Sequence, residues 1–356
     1  MNQSNSALDR LFADDGSAEP EPTGRRPRRR RGLKRFLIII GVLLVLLGLV
    51  VGIGYALLAS TYNEVDRVSI EQDPDWQRPA EATGDNAPVN ILLLGSDSRE
   101  TTDPDATIED LDGFRSDAIM VAQVSPEDDS VTVMSIMRDN WVNIEGHGEA
   151  KINAAVAYGG LPLAVNTVEN FIGARIDHVA LIDFDSFKGL TDAVGGVTID
   201  NPIEYTAQNG GGDYTFKEGE ITLDGDQALS YVRERYAFSD GDYQRVRNQQ
   251  IYMKALVSQL LSSDTLGSVD RVTSVFESLK PYLILDDGLT LNRAVMLGLD
   301  MRNIRSNDIT FFTSPTNGTG TSGDGQSIVV PDQAELENVR SAFADGTLDE
   351  YAATQE

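Results

Sequence analysis

The sequence predicts an α/β (α+β) fold: a central mixed β-sheet flanked by helices, forming a single extracytoplasmic domain behind one N-terminal transmembrane helix. Three observations predict it. Short apolar runs of strand length alternate along the chain with stretches whose apolar residues recur at helical spacing. One uncharged apolar run near the N-terminus is long enough to cross a bilayer. The 356 residues include no cysteine, so stability outside the cell must come from a sizeable core and not from disulfides.

Residues 1–35 are polar, rich in proline and charge, and end in GRRPRRRRGLKR. Such a segment cannot bury a core and is expected to be disordered. Alone, a basic run of this kind fits a nucleic-acid arm, but the apolar run directly after it points to a membrane, and no nucleic-acid partner is expected. Residues 36–58 form that unbroken apolar run, which reads as one transmembrane helix. The arginines before it place the N-terminus in the cytoplasm and the bulk of the chain outside. Residues 59–87 lack clear periodicity and read as a stalk. Residues 88–345 are then the folded domain, and 346–356 an acidic tail.

Within the domain, PVNILLLG (88–95) is a buried strand that runs into Ser96, Asp97, Ser98 and Arg99. AIMVAQV (118–124) is a second, preceded by Arg115, Ser116 and Asp117, and residues 130–136 are a third, running into Arg138 and Asp139. Strand ends that open into polar residues are where α/β proteins place ligands. Residues 162–172 read as a helix, 178–183 as a strand and 184–194 as a helix with Asp185 at its cap. A short helix over 225–231 has Asp224 as N-cap. Helical spacing returns over 253–261, 269–279 and 291–299. Strands are expected over 309–313 and 328–330, and a last helix over 332–343.

The densest signal is YVRERYAFSDGDYQRVRNQQ, residues 231–250. The chain carries a formal net charge of −27, and residues 1–60 hold 9 of its basic and only 5 of its acidic residues. Four arginines in one window of the remaining acidic chain suggest a specific anion site, since guanidinium forks bind phosphate bidentately. Arg233 and Arg235 point the same way if the chain is extended after the short helix. A turn over residues 239–242 starts a new helix on which Arg245 and Gln249 share a face at i,i+4, with Arg247 pointing elsewhere. Surface ion pairing with the many carboxylates is the alternative reading.

No G-x-S-x-G elbow is present, and no GxxxxGK[ST] phosphate loop, which disfavours an ATP-driven enzyme. With no cysteine and two histidines, a metal site would be built from hard carboxylate oxygens such as Asp97 and Asp117. That suggests Mg²⁺, or Mn²⁺, instead of zinc.

Several ordered segments carry a family resemblance: LLLGSDSR (92–99), RSDAIMV (115–121), SIMRD (135–139), KINAAVAYGG (151–160), HVALIDFDSF (178–187), DAVGGV (192–197), LDGDQALSYVRERY (223–236) and GDYQRVRNQQ (241–250). Across roughly residues 88–262 the chain resembles the LytR-CpsA-Psr family of Gram-positive, single-pass membrane phosphotransferases. The resemblance implies transfer of an anionic glycopolymer from a polyprenyl-pyrophosphate carrier onto peptidoglycan with Mg²⁺. It implies that Asp97 and Asp117 hold the metal and that Arg115, Arg138, Arg233, Arg235, Arg245 and Gln249 bind pyrophosphate. Asp139 is a candidate general base. The sequence leaves open whether the polymer is a teichoic acid, a capsule or an arabinogalactan. It also leaves open a membrane-anchored sensor of the lipid carrier, or a lipid pyrophosphatase with water as acceptor.

Overall fold

The structure is a computed structural model, and it describes residues 62, 64–82, 87–96, 116–127, 129–209, 213–261 and 284–355. The basic N-terminal segment, the expected membrane span over 36–58, Asp97, Arg115 and the helical spacing over 269–279 lie outside the described residues. Among the described residues no helix is long and apolar enough to cross a membrane.

The central sheet has seven strands. In chain order they are β1 (Asp66–Val68), β2 (Val89–Ser96), β3 (Ser116–Val124), β4 (Val131–Ile136), β7 (His178–Asp183), β12 (Ile284–Asp286) and β13 (Ile309–Thr313). Their spatial order is β1-β12-β7-β2-β3-β4-β13. The sheet is mixed: β7 runs parallel to β2, while β2, β3 and β4 form an antiparallel meander. Three of these strands are the apolar runs of the sequence, read with a period of two. Leu92, Leu94, Val121 and Met134 face one core, shared with helices α1 (Ala154–Ile172) and α6 (Gln333–Asp345). Ile91, Leu93, Met120 and Val133 face the other, where Met253 and Val257 of α4 (Asp242–Leu260) pack. Both faces are covered, which is why the runs are continuously apolar and not alternating.

A smaller lobe sits beyond β7. Helix α2 (Phe184–Ala193), strand β8 (Val197–Asn201), the short β9 (Tyr205–Thr206), β10 (Thr215–Phe216) and β11 (Gly219–Leu223), and helix α3 (Gly225–Arg233) share a core with α4. Asp224 caps α3 in a full capping box with Gln227. Asp185 is not a cap: α2 begins one residue before it, and the exposed carboxylate pairs with Lys188 one turn on, at 2.9 Å.

Two boundaries move. The expected stalk is attached to the body from residue 64 onward. β1 joins the sheet edge parallel to β12, and Trp76 packs on the main core. Glu169 of α1, fully buried, takes Arg78 in a two-pronged ion pair and accepts from Gln72 at 3.0 Å. A buried carboxylate is tolerated only with such partners. The segment lacks periodicity because it is held by edge pairing and side-chain clamps and has no apolar face of its own. At the other end the acidic tail is not free: α7 (Leu348–Ala353) buries Leu348 and Ala352 in the main core.

Candidate active site

The site forms where three strand ends meet the helices of the smaller lobe. Strands β2 and β3 are neighbours, with Ser96 opposite Ser116, so Asp117 lies at the strand end that the sequence opens into polar residues. Arg138 follows β4 and its Nη1 pairs with the Asp117 carboxylate. Arg245 sits in the first turns of α4, only 5% exposed, and donates to Asp242 at 2.7 Å. Asp242 also lies 3.8 Å from Arg138 Nε and 3.9 Å from Arg235 Nη1. One carboxylate therefore gathers three guanidinium groups that would otherwise repel one another. Burial pulls the Arg245 pKa below its usual value, opposed by Asp242; a group that starts so high stays charged.

Arg233 is the last residue of α3, with its guanidinium 4.2 Å above the Phe184 ring. Glu234 leaves the helix in an extended conformation, and its fully buried carboxylate accepts from four backbone N–H groups, those of Gln208, Asn209, Tyr236 and Ala237. The helix runs two residues further than the sequence suggests, through Arg233, so the two arginines do not share an extended segment; Glu234 alone turns inward, and Arg233 and Arg235 still line one cavity. Arg235 donates to the Tyr236 hydroxyl at 2.5 Å, which, against the effect of burial, holds its pKa above the usual value. Gln249 lines the same cavity one helical turn beyond Arg245 and donates to the Val232 carbonyl at 3.3 Å. Arg247 faces away and pairs with Asp240.

That cavity, about 710 Å³, runs between the β2–β3–β7 face of the sheet and helices α2, α3 and α4. Its walls away from the arginines are apolar: Leu93, Ile182, Phe187, Leu229, Val232 and Leu256 among them. Burial pushes the Tyr252 hydroxyl up to about 12, so this wall residue is neutral. One end is thus cationic and the rest greasy. Buried Nε atoms of Arg138 and Arg245 have no hydrogen-bond partner.

Of the expected site residues, the structure brings together Asp117, Arg138, Arg233, Arg235, Arg245 and Gln249 around one cavity. Asp139 lies beside them in an adjoining cleft, paired with Lys151 at 2.9 Å. Asp97 and Arg115 lie outside the described residues. Asp242 and Glu234 are site residues that sequence reasoning misses. The available signal for Asp242 is its place three residues before Arg245 at a helix start; Glu234, between two arginines, has none. Among the described residues no group of three acidic, histidine or cysteine side chains is placed to cage a metal ion. Among the described residues that line the cavity, Asp117 is the one carboxylate, at its cationic end; Asp242, behind it, is taken up by the three guanidinium groups.

The fold and the site define a mixed α/β domain that can hold an amphiphilic anion, its head on an arginine cluster and its tail in an apolar cavity. The LytR_cpsA_psr family profile matches residues 57–345. The chain belongs to this family. A polyisoprenyl-teichoic acid–peptidoglycan teichoic acid transferase, TagU of Enterococcus faecalis, is 34% identical over 312 residues, covering 87% of this chain and 96% of the relative. Among solved structures, Bacillus subtilis TagV aligns with a TM-score of 0.60 at 27% identity, over 74% of this chain and 97% of that one. An enzyme of Actinomyces oris named LytR-Csp2A-Psr shares the fold at a TM-score of 0.60 and 22% identity, over 79% of this chain and 96% of that one.

Proposed function

We propose that this protein transfers an anionic glycopolymer of the teichoic-acid type from a polyprenyl-pyrophosphate carrier to peptidoglycan, forming a phosphodiester. The observation that carries the reading is the joining of an apolar cavity of about 710 Å³ to a cluster of four arginines. A polyprenyl pyrophosphate has the matching two-part chemistry. The activity named for the Enterococcus faecalis relative supports the same reading.

Arg138, Arg233, Arg235 and Arg245 bind the pyrophosphate oxygens. An acceptor sugar hydroxyl attacks the phosphorus nearest the glycopolymer. A new P–O bond forms to the acceptor, and the bond from that phosphorus to the bridging oxygen breaks. Polyprenyl monophosphate leaves with the bonding electrons, its added charge met by the guanidinium groups. Asp139 is the candidate to take the hydroxyl proton. Asp117, with Asp97, would hold Mg²⁺ (Mn²⁺ also suits the donors), which keeps waters and substrate oxygens as ligands and so needs only one or two carboxylates. When bound, the ion supplies charge neutralisation at the pyrophosphate. The uncharged run over residues 36–58 anchors the protein, with the domain on the outer side of the membrane.

The test uses the full-length chain in detergent with a polyprenyl-pyrophosphoryl oligosaccharide, a peptidoglycan fragment and Mg²⁺. Mass spectrometry should find the joined phosphodiester, lost with EDTA and in Asp117→Ala. Polyprenyl phosphate released without a joined product would make the protein a lipid pyrophosphatase. Binding with neither product would make it a sensor.

A further inference from the structure

Beside the arginine cluster lies a second cleft, about 900 Å³, that the lipid does not need. It meets the apolar cavity at Arg138, Ala157, Arg235 and Tyr236, which line both. Its own lining is polar and close to charge-balanced: Lys151 against Asp139, and Arg138 and Arg235 against Asp240 and Asp242. A polyanion would meet three carboxylates there, and a neutral, hydroxyl-rich molecule would meet donors and acceptors.

Local sequence puts an aromatic platform on this cleft. Helix α1 is broken at Gly159 and Gly160; Gly160 has φ +66°, and a Cβ on Gly159 would come within 2.7 Å of Leu163. The turn before the break buries Ala155 and Val156 in the main core and leaves its last residues, Ala157 and Tyr158, exposed at the rim, while the helix beyond the break continues into the core. The Tyr158 ring stacks on His147 from the β5–β6 hairpin (Trp141–Ile144 and Gly148–Lys151), with centroids 4.7 Å apart and planes 16° apart. One face of the tyrosine is thus covered, yet the residue remains 48% exposed and lines the cleft. Tyrosine pairs an apolar, electron-rich face with a polar tip, and a pyranose ring presents C–H groups on its faces and hydroxyls at its edge.

We propose that this cleft binds a neutral saccharide ring of the acceptor glycan, stacked on Tyr158. The inference rests on the transferase reading for the word acceptor, but not for saccharide binding itself. It also agrees with the geometry of phosphoryl transfer. Attacking and leaving oxygens lie roughly in line, so with the leaving lipid phosphate in the apolar cavity the hydroxyl must come from another side of the arginines. The cleft opens there and carries Asp139 on its wall.

The experiment titrates chitotetraose, a neutral β-linked N-acetylhexosamine oligomer, into the full-length protein in detergent, followed by saturation-transfer NMR. Steady-state transfer kinetics are measured on the same samples. Tyr158→Ala should weaken oligosaccharide binding on the order of tenfold, or about 1.4 kcal/mol. It should raise the acceptor KM and leave the donor KM unchanged, and Tyr158→Phe, which keeps the ring, should restore both. Equal binding by wild type and Tyr158→Ala, or no binding by either, overturns the proposal. So does a change confined to the donor KM, which would give the cleft to the donor's sugars. If binding depends on Tyr158 but no transfer occurs, the cleft stands and the transferase reading falls. If transfer proceeds and Tyr158→Ala is indifferent, the reverse holds.

Discussion

Glu234 shows how a residue that never touches the substrate can decide the site. Its carboxylate is the acceptor for four backbone N–H groups and fixes the chain between two site arginines. In Glu234→Ala those donors are left without an acceptor in a buried place, which should destabilise the protein by about 2–5 kcal/mol. The urea midpoint should fall accordingly, and binding of the pyrophosphate head should weaken because Arg233 and Arg235 lose their shared orientation. A variant with an unchanged midpoint would remove Glu234 from this role. At this scale the sequence is legible where a residue stands out from its background. Arginines do so in an acidic chain, and the i,i+4 relation of Arg245 and Gln249 puts both on one wall. Asp242 and Glu234 do not stand out. In a chain with 56 acidic residues, the carboxylate that gathers three guanidinium groups looks like any other. Only the fold distinguishes it.

Secondary-structure elements are legible where they bury themselves on their neighbours' apolar faces, as β2, β3, β4 and β7 do. The illegible ones owe their place to distant backbone. Strand β1 is three residues long and exists because Ile284–Asp286 runs beside it, more than two hundred residues on. At that junction Asp286, fully buried, accepts from the Val179 N–H at 3.0 Å and lies 3.3 Å from His178 Nδ1. Burial pushes its pKa up, but these hydrogen bonds and the histidine outweigh it, and the net shift is downward. A depressed carboxyl contributes stability that is fully present above its unfolded pKa, near pH 4, and lost as pH falls through the folded value. Between about pH 5 and pH 3, the Tm of the full chain in detergent should therefore fall more steeply than that of Asp286→Asn. Equal slopes would mean that this junction does not contribute to acid sensitivity. The break in α1 belongs here too. The sequence shows AAVAYGG only as a run of small residues; the close approach of Gly159 to Leu163 explains why a side chain is not tolerated.

Over the whole molecule, charge and greasiness are sorted with purpose. A chain of net charge −27 repels polyanions in general, and a local cation surplus at one cavity end makes an exception for a single head group. The apolar cavity then selects the anion that carries a lipid. Sequence can place three of the four arginines in one window, but the cavity draws its walls from three strands and four helices, so no single stretch announces it. The central claim, that head and tail are recognised together, is tested most directly by equilibrium binding to the full-length protein in detergent. Polyprenyl pyrophosphate would be compared with inorganic pyrophosphate and with the prenyl alcohol of the same length. Each half alone should bind at least about a hundredfold more weakly than the whole, a difference of about 2.7 kcal/mol, and Arg245→Ala should bring the intact lipid close to the alcohol. Inorganic pyrophosphate binding as tightly as the lipid, or lipid binding indifferent to Arg245→Ala, would contradict the account.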